Sequence, residues 1–124
     1  DPIVGRALTA LHARPRHAWT LDELAREIPS SRTVLAERFA HFVGLAPMQY
    51  LARWRMQLAA SLLLDGQATV AEVAHRVGYG SEAAFSRAFK KLVGPSPKAW
   101  REGRERVAAA AERASVAQGE VESA

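Results

Sequence analysis

The sequence predicts an all-α fold of two helix-turn-helix subdomains joined by a long linker helix. Three observations carry that expectation. Apolar residues recur at intervals of three and four, and no stretch alternates apolar with polar as a strand would. Two segments, T-L-D-E from Thr20 and T-V-A-E from Thr69, have the form of capping boxes. In such a box the hydroxyl accepts from an early backbone N–H, and the glutamate, here Glu23 or Glu72, reaches back. The chain also repeats itself. TLDELAREI aligns with TVAEVAHRV at an offset of 49, and SRTVLAERFAHFVGLAP aligns with SEAAFSRAFKKLVGPSP at an offset of 50. The one-residue difference falls in the turn, where insertions are tolerated. Each half is a short helix, a tight turn and a longer helix, the layout of a helix-turn-helix.

In chain order, a first helix is expected over residues 2–13, with Pro2 at an early helical position and Ile3, Ala7, Leu8 and Leu11 on one face. Residues 14–19 form a loop. Short helices are expected at 21–28 and 70–77. Ser31 and Ser81 are placed to cap the longer helices that follow. Between the halves, Pro47 begins a linker helix over about residues 47–64, with Leu51, Trp54, Leu58 and Leu62 at helical spacing, and Asp65-Gly66 ends it in a left-handed cap. After Pro97 a final helix is expected over residues 98–104. The Ala-rich remainder has few large apolar residues to dock with, so partial disorder is expected. The implied division is a first subdomain at 1–46, the linker at 47–65, a second subdomain at 66–104 and a tail at 105–124.

The composition narrows the function. The chain has 124 residues, 48% hydrophobic, enough for a packed core. Its net charge is +4, but from Glu102 onward five acidic residues face three basic ones, leaving fourteen basic against eight acidic residues before that point, a net of +6. A basic body suits a polyanionic partner. The chain has no cysteine, which removes disulfides and thiol chemistry and fits a reducing, cytoplasmic setting. No signal peptide opens it, and no apolar run approaches the roughly 18 residues that span a bilayer, so no membrane partner is expected. It begins at Asp1 rather than Met, from which a fragment of a longer protein is expected. The four histidines are scattered, and no Ser/His/Asp order, phosphate-cradling glycine loop or paired carboxylate appears. Neither an enzyme nor a metal or cofactor site is expected. Trp19, Trp54 and Trp100 lie on or beside apolar stripes and are expected in the core.

The two longer helices are two-faced. Leu35, Phe39, Phe42 and Val43 form a core stripe in the first, and Phe85, Phe89, Leu92 and Val93 form one in the second. The opposite stripes carry Thr33, Ala36, Glu37 and Ala40, and Ala83, Ser86, Arg87 and Lys90. Small residues permit close approach to a groove, and long polar ones reach base edges. A solvated outer face explains any one such helix equally well. Repetition of the whole unit, with small residues on both outer faces, favours a groove-reading role over a helical protein-interaction module.

Residues 70–101, VAEVAHRVGYGSEAAFSRAFKKLVGPSPKAWR, resemble the second-unit signature of the AraC/XylS family of bacterial transcription regulators: a Gly-Tyr turn, Ser, F-x-R-x-F-K, Gly-x-x-Pro and an aromatic-Arg pair. The first unit and PMQYLARWRMQLAASLLL also resemble the family, so the likeness covers residues 3–101. It implies seven helices, double-stranded DNA as partner, contact with RNA polymerase in an activator, and an N-terminal effector or dimerisation domain outside this chain. An 18-residue linker helix is about 27 Å long at 1.5 Å per residue, of the order of one DNA turn of about 34 Å, so two recognition helices (about 31–42 and 81–92) would enter successive major grooves. Carried over by position, the base-reading candidates are Arg32, Thr33, Ala36 and Glu37 in the first unit, and Glu82, Ala83, Ser86 and Arg87 in the second. Arg87 leads, because arginine can bond guanine O6 and N7 together; its alternative is an ion pair with Glu82 or Glu72. Ser31, Arg53, Arg55, Ser81, Lys90 and Lys91 are the phosphate candidates.

Two departures from the family pattern stand out. Pro29 occupies the first turn where the family has glycine, so that turn is expected to differ in detail, which leaves the register of the first recognition helix less firmly set. Glu37 stands where a basic or neutral polar residue is usual. It could accept from cytosine N4 but repels phosphate, which predicts weaker binding by the first unit.

Overall fold

A computed structural model describes residues 1–123, with side chains described through Gly119. Among these residues there are seven helices and no strand. They are α1 (Pro2–Ala13), α2 (Leu21–Glu27), α3 (Arg32–Val43), α4 (Pro47–Asp65), α5 (Val70–Arg76), α6 (Glu82–Val93) and α7 (Pro97–Ser123). No helix is long and apolar enough to cross a membrane.

Polar caps set most of the helix starts. The Asp1 carboxylate accepts from Ile3 N at 2.8 Å and Val4 N at 3.4 Å. Thr20 Oγ1 accepts from Glu23 N at 3.1 Å, and Thr69 Oγ1 accepts from Glu72 N at 3.1 Å. Glu23 does not complete a reciprocal box, because its carboxylate meets His17 Nε2 instead. Ser31 Oγ accepts from Val34 N at 3.1 Å and Ser81 Oγ from Ala84 N at 3.0 Å. At α4 the Gln49 side chain accepts from Ala46 N–H at 3.0 Å, and Pro47 supplies a preset φ. Gly66 ends α4 in a left-handed conformation, φ 74°.

Two hydrophobic clusters form, one on each side of α4. The first unites Val4, Leu11, Trp19, Leu24, Leu35 and Phe39 with Leu51 of α4. The second unites Val73, Val77, Phe85 and Phe89 with Met56, Ala59 and Leu63 of the same helix. The step from Leu51 to Met56 turns the buried face by about 140°. The linker therefore buries no single stripe. Trp54, Leu58 and Leu62, expected as its core positions alongside Leu51, are half-buried.

Other core assignments also move. Leu35, Phe39, Phe85 and Phe89 are fully buried, but Phe42 is 61% exposed, Leu92 41% and Val93 40%, and Val43 is half-buried. The glycine turns at Gly44 and Gly94 redirect the chain directly after these last-turn residues, so α4 and α7 do not cover them. Of the three tryptophans only Trp19 is buried; Trp54 and Trp100 are half-buried. At the C-terminus the chain does not break at 104. Helix α7 runs on to Ser123, which differs from the partly disordered tail expected over 105–124, of which Ala124 lies outside the described residues. Alanine sustains a helix without docking. From Arg104 to Gly119 every side chain is exposed except the half-buried Ala109.

The two turns close alike. Ser30 N donates to Ala25 O at 2.9 Å, and Tyr79 N donates to Ala74 O at 3.0 Å. Gly78 reaches this geometry at φ 103°, a left-handed value free of cost for glycine. Pro29 holds the corresponding place at φ 21°, far from the −65° its ring favours. The first turn thus differs in detail from the second at this residue while keeping the same closing hydrogen bond, and the proline carries the strain.

Candidate nucleic-acid interface

Each unit presents the outer face of its longer helix. In the first, Arg32, Thr33, Ala36 and Glu37 line a shallow concavity with Leu21 of α2. Ala36 is half-buried and the other three are exposed. Arg32 Nε lies 3.0 Å from Asp22 Oδ1, with the two side chains 64% and 55% exposed. An ion pair that open contributes at most about 1 kcal/mol, so Arg32 can exchange partners at little cost. Glu37 makes no ion pair among the described residues.

In the second unit, Glu82, Ala83 and Arg87 are exposed on α6 and Ser86 is half-buried. Arg87 makes no ion pair among the described residues, neither with Glu82 nor with Glu72. Its guanidinium is thus available to an outside acceptor. Lys90 and Lys91 follow one turn later, both exposed. Lys91 and Arg53 flank a groove between α6 and α4 that is floored by Leu45, Ala52, Ala88 and Leu92. Ser31 and Ser81 use an oxygen lone pair as caps, which leaves each hydroxyl proton free to donate outward.

Arg55 does not join this surface. It is half-buried, its Nε donates to Pro15 O at 2.9 Å and its Nη2 to His17 O at 2.8 Å. These internal bonds replace the phosphate contact expected of it. Arg101, the arginine of the aromatic-Arg pair, does the same in the second unit, with Nε bonded to Leu63 O at 2.9 Å and Nη2 to Ala68 O at 2.5 Å. In both units the helix after the longer one sends an arginine back to backbone carbonyls ahead of the unit's short helix. Sequence alignment hides this parallel, because Arg55 sits eight residues after Pro47 and Arg101 four after Pro97. Also unforeseen are Arg16 and His75, whose side chains meet at 3.1 Å across the two units. Among the described residues no cluster of His, Cys, Asp or Glu could hold a metal ion.

The family model of a helix-turn-helix domain matches residues 24–103. A protein of Streptomyces antibioticus described as an AraC-like transcription regulator is 50% identical over 101 residues, which cover 82% of this chain and 33% of that protein. The HTH-type transcriptional regulator AlkR of Acinetobacter baylyi is 41% identical over the same shares. The chain thus spans about a third of the length of these curated relatives. Among solved structures, the C-terminal domain of AraT, a response regulator from Geobacillus stearothermophilus, superposes with a TM-score of 0.80 at 34% identity, covering 83% of this chain and 86% of that one. The DNA-binding domain of the global transcriptional factor AdpA, solved in complex with a target DNA, gives 0.79 at 31% identity, covering 86% and 96%.

Proposed function

The chain belongs to the AraC/XylS family of helix-turn-helix transcription regulators, and we propose that it binds double-stranded DNA sequence-specifically through α3 and α6 in successive major grooves. The observation that carries this is the pair of repeated reading faces held on one continuous helix. At 19 residues, α4 is about 28 Å long, of the order of one DNA turn. The AdpA domain, similar over most of both chains, was solved on DNA, which supports the same role here.

Within this reading, residues 1–46 and 66–104 act as two DNA-reading units. Arg87 bonds bidentately to guanine, and Ser86, Ala83 and Glu82 shape the groove contact around it. Arg32, Thr33, Ala36 and Glu37 read the other half-site. Lys90, Lys91, Arg53 and the Ser31 and Ser81 helix starts meet phosphates. Glu37, exposed and without a cation of its own, leaves the first unit the weaker binder. We propose further that an N-terminal domain senses an effector or dimerises, and that the regulator is cytoplasmic and contacts RNA polymerase to activate transcription.

A salt titration tests the binding. Each phosphate neutralised contributes about −0.9 to the slope of log K against log salt, so the three cations alone predict a slope of about −3 or steeper. Binding indifferent to salt would refute the proposal and favour a helical protein-interaction module.

A further inference from the structure

Besides sharing α4, the two units meet at a second place. The loop of residues 14–19, which belongs to the first unit, lies against the α5–α6 turn of the second. Arg55 stands at the centre of that junction. Its guanidinium holds the carbonyls of Pro15 and His17 on one side and lies 5.7 Å from the centre of the Tyr79 ring on the other. Beside it, Arg16 Nη2 lies 3.1 Å from His75 Nε2. The backbones press close: a β-carbon on Gly78 would come within 3.0 Å of Arg16 Cα and 3.1 Å of both Arg16 O and Arg55 Nε. Burial pushes the Tyr79 hydroxyl above its ordinary pKa and lowers that of Arg55, and the attraction between the two opposes both shifts. Both groups therefore sit in a partly dry seam.

We propose that Arg55, with Arg16, Gly78 and Tyr79, forms a clasp that fixes the two recognition helices relative to each other and so sets which spacing between DNA half-sites the protein accepts. This rests on the two-unit DNA-binding reading above. A single shared helix can still bend gently, and each unit can rock on its packing against it. A second attachment away from the helix axis removes this freedom. Changing a spacer by one base pair moves a half-site by about 3.4 Å along the DNA and turns it by about 34°. A clasped pair of units cannot follow that movement, whereas an unclasped pair can. Arg55 is thus a positioning residue, selecting DNA geometry without touching DNA.

The test uses the wild-type site and duplexes whose spacer is one or two base pairs shorter or longer, together with a duplex carrying the second half-site alone. Wild type should lose about tenfold in affinity for each base pair of misfit, the scale of one charge-assisted hydrogen bond. In Arg55→Met, which keeps the aliphatic stem, that penalty should fall severalfold while affinity for the lone half-site is retained. Arg16→Ala alters an exposed side chain with little risk to folding, and should flatten the profile in the same direction by a smaller factor. Arg55→Lys should restore part of the selectivity. Variants that keep the wild-type spacing profile overturn the clasp. So does a uniform loss at every spacing and on the lone half-site, which marks a purely structural residue. A wild-type protein with no preferred spacing refutes the two-unit reading itself, and the clasp falls with it.

Discussion

Replacing Pro29 with glycine should stabilise the protein, against the usual effect of removing a proline from a turn. The second unit supplies the internal control. Gly78 occupies the matching position at φ 103° and donates its N–H to His75 O at 3.2 Å, while Pro29 sits at φ 21° and has no N–H to donate. A residue held so far from its preferred conformation costs about 1–3 kcal/mol. Glycine removes that strain and can restore the missing hydrogen bond. Against this, the freer unfolded chain costs about 0.4–1 kcal/mol. The balance is a gain of about 1 kcal/mol, or a rise in Tm of about 4 °C for a chain of 124 residues. Urea denaturation with a fixed slope, alongside a thermal melt, measures it. Destabilisation by 1 kcal/mol or more would refute the reasoning. It would mean that Pro29 lies near its ordinary φ and that the first turn follows a path of its own.

Further predictions concern single side chains. Arg87→Ala should lose about 1–3 kcal/mol of discrimination at one base pair of the half-site read by α6, whereas Lys90→Ala should weaken all sequences alike and reduce the salt slope by about 1; a competition assay over single-base variants separates the two. Arg101→Ala leaves Leu63 O and Ala68 O without their donor and should cost about 2 kcal/mol in chemical denaturation. Phe89→Ala should cost about 3–5 kcal/mol, while Phe42→Ala, at a side chain 61% exposed, should stay within about 0.5 kcal/mol by the same measurement. Because burial raises the Tyr79 pKa, the folded state resists its ionisation. Stability is unaffected by this group below the ordinary tyrosine pKa and falls as pH rises towards the folded-state value. An alkaline phenolate titration should show a late component that Tyr79→Phe removes.

Much of this architecture was legible in the sequence, for identifiable reasons. The Thr20, Ser31, Thr69 and Ser81 hydroxyls mark helix starts with local chemistry and cap them as read, whereas the reach-back of Glu23 depends on His17 and fails. The repeat places both reading faces without any tertiary information. What could not be read depends on neighbours. Periodicity puts Phe42 and Leu92 on the core stripe, but only the chain path after Gly44 and Gly94 reveals that both stay largely outside the core. The linker serves two cores on different sides, so its buried residues follow no single period. Arg55 looks like any basic residue on a basic protein. Its role depends on carbonyls 38 and 40 residues away in the chain.

The central claim is that two unequal units on one shared helix read two half-sites. Selection from random duplex DNA tests it most directly. The account predicts two enriched blocks on one face of the DNA, their centres about 10–10.5 base pairs apart, with the block read by α6 the more sharply defined. No enrichment, or a single block with no constrained second one, would contradict it.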